Sequence, residues 1–99
     1  MKLAFVIHNE HYTTEVMNLL TRCQIDYYTR WEQAKGKGHG TDPHLGGGGF
    51  PSTNSVVMVA FEDERPLARL IEAIIAANAE IKRAADHIRL FQLPLDRIV

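Results

Sequence analysis

The stretch KLAFVIH, from Lys2 to His8, is an almost unbroken apolar run rich in Val, Ile and Phe, the pattern of a central strand apolar on both faces. Asn9 can then cap a helix whose apolar positions Tyr12, Val16, Leu19, Leu20 and Cys23 recur at steps of three and four, which gives one stripe for packing and an end near Cys23. From Ile25 the period changes to alternation. Ile25, Tyr27, Thr29 and Trp31 fall on one side and Asp26, Tyr28, Arg30 and Glu32 on the other, which predicts a half-exposed edge strand. SVVMVAFE, from Ser55 to Glu62, reads as a second two-sided strand. Asp63 is placed to cap a second helix with Pro66 in its first turn and a stripe of Leu67, Leu70, Ile71, Ile74, Ile75 and Ile81. A last strand is expected over roughly Ile88 to Leu93, before Pro94.

Between the second and third strands, Lys35 to Asn54 breaks every periodicity. It holds all seven glycines, four of them consecutive from Gly46 to Gly49, together with Pro43 and Pro51. Such a stretch cannot offset its ordering entropy with buried apolar area, and a loop of this length inside a small domain is more often functional or disordered than merely connecting. The order is βαββαβ. It predicts an α+β, ferredoxin-like domain over residues 1–99, with a four-stranded antiparallel sheet, two helices on one face and a long flexible loop at 35–54. The first and third strands would be the inner pair. Helices cover only one face of such a sheet, so the other apolar face needs a partner, and a homo-oligomer is expected.

Composition narrows the function classes. At 99 residues, 45% apolar and 23% charged with a formal net charge of -1, the chain has the make-up of an ordinary globular protein, which argues against non-specific nucleic-acid binding. No apolar run approaches the roughly 20 residues that span a bilayer, the N-terminus lacks a signal-peptide pattern, and a cytoplasmic protein is expected. The single cysteine, Cys23, excludes an internal disulfide and reads as a small core residue. No Ser or Cys stands in a local pattern with a base and an orienting group, so no catalytic set is visible and a non-enzyme is expected.

Three local stretches carry a resemblance that covers the whole chain. AKGKGHG, from Ala34 to Gly40, resembles the glycine-spaced entry to the T-loop of the P-II signal-transduction proteins and their P-II-like relatives; SVVMVAFEDE resembles the strand leaving that loop, and LFQLPLDRIV the last strand and the segment after it. The resemblance implies a homotrimer whose inter-subunit cleft takes ADP or ATP, with Gly36, Gly38, His39 and Arg89 as ligand-binding positions. It also implies a T-loop, here with Lys37, His39, His44, Gly47 and Phe50, that grips a protein target such as a membrane transporter or metabolic enzyme. At Gly36 and Gly38 the absence of a side chain would let backbone N–H groups approach a phosphate. The chain departs from the family pattern in places. KRAADHIR, before the last strand, has no glycine where the family has a glycine-rich phosphate loop, and His39 stands where an arginine follows the paired glycines.

His39, Asp42 and His44 lie within six residues, and imidazole with carboxylate suits a first-row divalent metal. An alternative function is thus a metal sensor or buffer linked to heavy-metal handling, beside the plainer reading of two histidines in a polar loop. His8 and His11 flank the first turn of the first helix, where they could cap, pack or contact a ligand. His87 is expected as a solvated residue at the end of the second helix, favoured there by the helix dipole. Trp31 and Tyr28 are expected to cover the sheet or an interface rather than stack on a ligand.

Overall fold

The computed structural model describes residues 1–37 and 53–99. The sheet comprises β1 (Lys2–Asn9), β2 (Thr29–Ala34), β3 (Asn54–Phe61) and β4 (Arg89–Pro94), and the helices are α1 (Thr13–Arg22) and α2 (Arg65–Ala79). All pairings are antiparallel in the order β2-β3-β1-β4, so β1 and β3 are the inner strands, as their continuous apolar runs require.

The strict alternation of burial along the two inner strands shows what each face does. Ala4, Val6 and His8 of β1, with Ser55, Val57, Val59 and Phe61 of β3, are buried beneath the helices. From α1 come Val16, Leu19 and Leu20, and from α2 come Leu67, Leu70 and Ile74, which close the same core over Cys23, Ile25 and Ile88. Tyr27 meets Phe61 edge to face, with ring centroids 6.1 Å apart. The opposite faces of β1 and β3, with Leu3, Phe5, Ile7, Val56, Met58 and Ala60, are only partly buried; no helix among the described residues covers them. Register places Trp31 opposite Val56, Phe91 opposite Phe5 and Leu93 opposite Leu3 on this same open face. All three are about half exposed, at 48%, 54% and 47%.

Several local expectations shift. The alternation from Ile25 does not make a strand until Thr29, the first β2 residue to find a partner, opposite Met58 on β3. Before it, Gln24 adopts a positive φ of 61° and Ile25 N–H reaches back to the Leu20 carbonyl, so Ile25 drops into the core as part of the helix exit. Near its other end β2 carries a register shift between Trp31 and Ala34, around Gln33 at φ 59°. Asn9 caps not α1 directly but a 3-10 turn, Glu10–Tyr12, that leads into it. Asp63 accepts from the Arg65 N–H at 3.0 Å one residue ahead of the N-cap position, Glu64, and the Arg65 guanidinium holds its carboxyl down to about 2. Ile75 departs from the α2 stripe. At 61% exposure it points outward, while Ile71 and Ile74 on either side of the stripe face the sheet. Ile81 lies beyond the helix end but packs on the core. No helix among the described residues is long and apolar enough to cross a membrane.

Candidate functional site

One end of the sheet gathers the C-terminal residues of β1 and β2 and the starts of β3 and β4. His8 is the innermost polar side chain there, 1% exposed and directly opposite the buried Ser55. Its Nδ1 lies 2.8 Å from the Asn9 carbonyl oxygen. A carbonyl only accepts, so Nδ1 carries the proton. Burial above all pushes the ring below its ordinary pKa of 6.5, against the hydrogen bond to Asn9, which raises it; Arg30 lowers and Glu15 raises it further. The ring is therefore neutral at pH 7 and Nε2 is a bare acceptor. It is the one buried side-chain nitrogen or oxygen without a hydrogen-bond partner among the described residues.

Around His8 the polar groups pair across long sequence distances. Asn9 uses both ends of its amide: Oδ1 accepts from the His11 N–H at 3.0 Å, and Nδ2 donates to Asp86 Oδ1 at 3.2 Å, 77 residues away. Asp86 lies in a 3-10 turn, Ala84–Asp86, that leads into β4, with Arg83 Nε 3.9 Å from its second carboxylate oxygen. Glu10 grips Thr53 twice. Its N–H donates to the Thr53 carbonyl at 2.9 Å, and its carboxylate accepts from the Thr53 hydroxyl at 2.5 Å, a bond that holds the Glu10 carboxyl below its usual range.

Of the ligand positions expected from sequence, Gly36 and Arg89 can be placed. A Cβ built on Gly36 would meet Asn54 Nδ2 at 2.7 Å, so the missing side chain here makes room for the Asn54 amide at the start of β3. Arg89 is exposed at the start of β4, opposite Ile7. Both stand at the same end of the sheet but on its opposite edges, since β3 and β1 lie between β2 and β4. Three strand spacings of about 4.8 Å put them roughly 14 Å apart. Lys37 is exposed beside Gly36. Gly38, His39, Asp42, His44, Gly47 and Phe50 lie outside the described residues, and with them the expected metal set and most of the expected partner-binding loop. Among the described residues no group of three His, Cys, Asp or Glu side chains could hold a metal ion.

His87 differs from its expected role. It is part-buried beyond the second 3-10 turn rather than solvated at a helix end, and its Nε2 donates to the Ile81 carbonyl at 2.9 Å. Together with the paired bonds between the Asn78 side-chain amide and the backbone of Ile88, both 2.8 Å, it fastens the approach to β4 against the end of α2. Cys23 is a buried free thiol within the core, as expected, and His11 is exposed. Sequence reasoning did not find Glu10, Thr53 or Asp86, because their partners lie 43 and 77 residues away and no local spacing announces them.

No protein-family model matches the chain, and no curated protein matches it in sequence. Solved structures do match in fold. A structure of CPII, a nitrogen regulatory PII-like protein from Thiomonas intermedia K12, bound to ADP, AMP and bicarbonate, aligns over 99% of this chain and 94% of its own at 15% identity, with a TM-score of 0.66. A second CPII structure, bound to ADP and bicarbonate, aligns over 97% and 88% at 17% identity, with a TM-score of 0.67. The chain thus has the ferredoxin-like fold of the PII-like regulatory proteins.

Proposed function

We propose that this protein is a PII-like, non-enzymatic regulator: a homotrimer that senses an adenine nucleotide at the cleft between subunits and controls a protein partner through its 35–54 segment. The observation that carries the reading is the alignment of nearly the whole chain, 99% of it, with a PII-like protein bound to ADP, AMP and bicarbonate. Two features of the chain support it. An apolar sheet face left open by both helices, with Phe5, Ile7, Met58, Phe91 and Leu93, suits burial against copies of itself. Placing Gly36 and Arg89 on opposite edges suits a ligand held between two subunits, with Gly36 from one and Arg89 from its neighbour.

The phosphate contacts would differ in kind from a glycine-loop site. With no glycine from Lys82 to Arg89, the approach to β4 offers guanidinium groups, Arg83 and Arg89, in place of a run of backbone N–H groups. Bicarbonate is a second candidate effector, since both CPII structures hold it. Calorimetric titration with AMP, ADP and ATP, each with and without bicarbonate, tests the reading. Arg89→Ala should weaken nucleotide binding by about 10-fold or more, the scale of one lost charge-assisted hydrogen bond. Absence of binding for all three nucleotides in both buffers would refute it.

A further inference from the structure

A cavity of about 320 Å³ lies where α1 ends and the chain turns toward β2, at the other end of the sheet from His8. Its apolar floor is Met17, Leu20 and Ile25, the last two buried core residues. The turn beside it is held by the backbone: Gln24 N–H donates to the Thr21 carbonyl at 3.0 Å and Ile25 N–H to the Leu20 carbonyl at 2.9 Å, with Gln24 at φ 61°. Tyr27 then goes inward against Phe61, which leaves its neighbours Asp26 and Tyr28 exposed at the mouth of the cavity.

Each polar side chain lining this cavity can accept a hydrogen bond. Asp26 brings a carboxylate, Gln24 an amide oxygen, and the Thr21 hydroxyl spends its proton on the Met17 carbonyl at 3.0 Å and keeps its lone pairs. No lysine, arginine or histidine lines the cavity; Arg69 reaches toward this region only as far as the Cys23 carbonyl, at 3.5 Å. Tyr28, 44% exposed, adds a ring whose face attracts cations. We propose that the cavity binds a small primary alkylammonium ion, its N–H donors turned to Asp26, Thr21 and Gln24, its charge beside the Tyr28 ring and its short aliphatic chain on Met17, Leu20 and Ile25. An anion would meet the Asp26 carboxylate, and a divalent metal ion, which takes six or more oxygen ligands or waters, would leave the apolar floor uncovered. The volume equals the liquid share of roughly ten water molecules, room for an ammonium with a few carbons but not for a nucleotide. Gly36 and Arg89 take no part, so the site is independent of the proposed function.

Titration of the full chain with butylammonium chloride, followed by amide chemical shifts at constant ionic strength and without nucleotide, tests it. The shifts should saturate and centre on Gln24, Ile25, Asp26 and Tyr28. Asp26→Asn keeps the shape and removes the charge, and should weaken binding by about 3- to 10-fold, the scale of an exposed charge-assisted contact. Tyr28→Leu keeps an apolar side chain and should weaken it by about 2- to 5-fold through the lost ring. Both positions are exposed, so both variants should fold as the wild type does. Shortening the probe to ethylammonium should cost about 4-fold, since each methylene on a half-open floor contributes about 2-fold. 1-Butanol, with the same chain and no charge, should bind more weakly than butylammonium. Shifts that rise without saturating, equal affinity in Asp26→Asn, or equal affinity for 1-butanol would each overturn the site. None of these readouts involves nucleotide, so the site can fail while the proposed function stands, and the reverse.

Discussion

Phe91→Asp places a carboxylate on the open sheet face, on the edge strand β4 opposite Phe5, and its effect on the proposed assembly can be worked from exposure. Phe91 is 54% exposed in the single subunit. A phenylalanine buries about 200 Å² when fully covered, so about 100 Å² remains for a partner to cover. At about 25 cal/mol per Å² that is roughly 2.5 kcal/mol for each subunit. The proposed trimer would contain the residue three times, so the loss approaches about 7 kcal/mol, or about 10⁵-fold in the association constant, before the cost of desolvating the new charge is added. The isolated subunit should be nearly unaffected, because a substitution at an exposed position usually changes stability by no more than about 0.5 kcal/mol. Sedimentation equilibrium over a concentration series, with circular dichroism to confirm folding, reads both quantities. Ile75→Asp is the control: Ile75 is also a large exposed apolar residue, at 61%, but on α2 away from this face, and its substitution should leave the oligomer intact. A Phe91→Asp protein that assembles as tightly as the wild type would show that this face is not the one the subunits bury.

The remaining expectations concern the core and the sheet end. Phe61→Ala, at a fully buried position beneath both helices, should cost about 3 to 5 kcal/mol by urea denaturation. His8 has a folded pKa below its unfolded 6.5, so the unfolded chain binds the extra proton first: stability should be complete above pH 6.5 and decline as pH falls toward the folded pKa, and His8→Gln should remove that part of the slope in a pH series of denaturation midpoints. Gly36→Val brings a Cβ to 2.7 Å from Asn54 Nδ2 and must displace that amide, so it should weaken nucleotide binding in a titration while leaving the oligomer unchanged; undiminished affinity would remove Gly36 from the ligand site.

The strand and helix order was legible because hydrophobic period is a local signal. β1, β3 and α2 each carry enough apolar residues to declare their type, and the two continuous runs identified the inner strands. The start of β2 was not, since alternation from Ile25 to Tyr28 is compatible with a strand whether or not a neighbour is there to pair with it, and β3 pairs only from Thr29. Burial of His8 was equally hidden. A histidine closing an apolar run can end a strand or continue its buried face, and only the covering helices decide which. The site was the least legible part. The bonds from Asn9 to Asp86 and from Glu10 to Thr53 depend on β1 and β3 lying side by side and on β4 flanking β1, which is tertiary information. The separation of Gly36 from Arg89 likewise follows from strand order rather than from either residue's neighbours.

Native mass spectrometry of the intact protein, alone and then with ADP, tests the proposed function most directly, because it reports assembly and ligand count together. A trimer that gains up to one ADP mass per subunit, and loses that gain on Arg89→Ala without losing the trimer, is the expected result. A monomer, or a trimer to which no adenine nucleotide adds, would contradict nucleotide sensing at a subunit cleft.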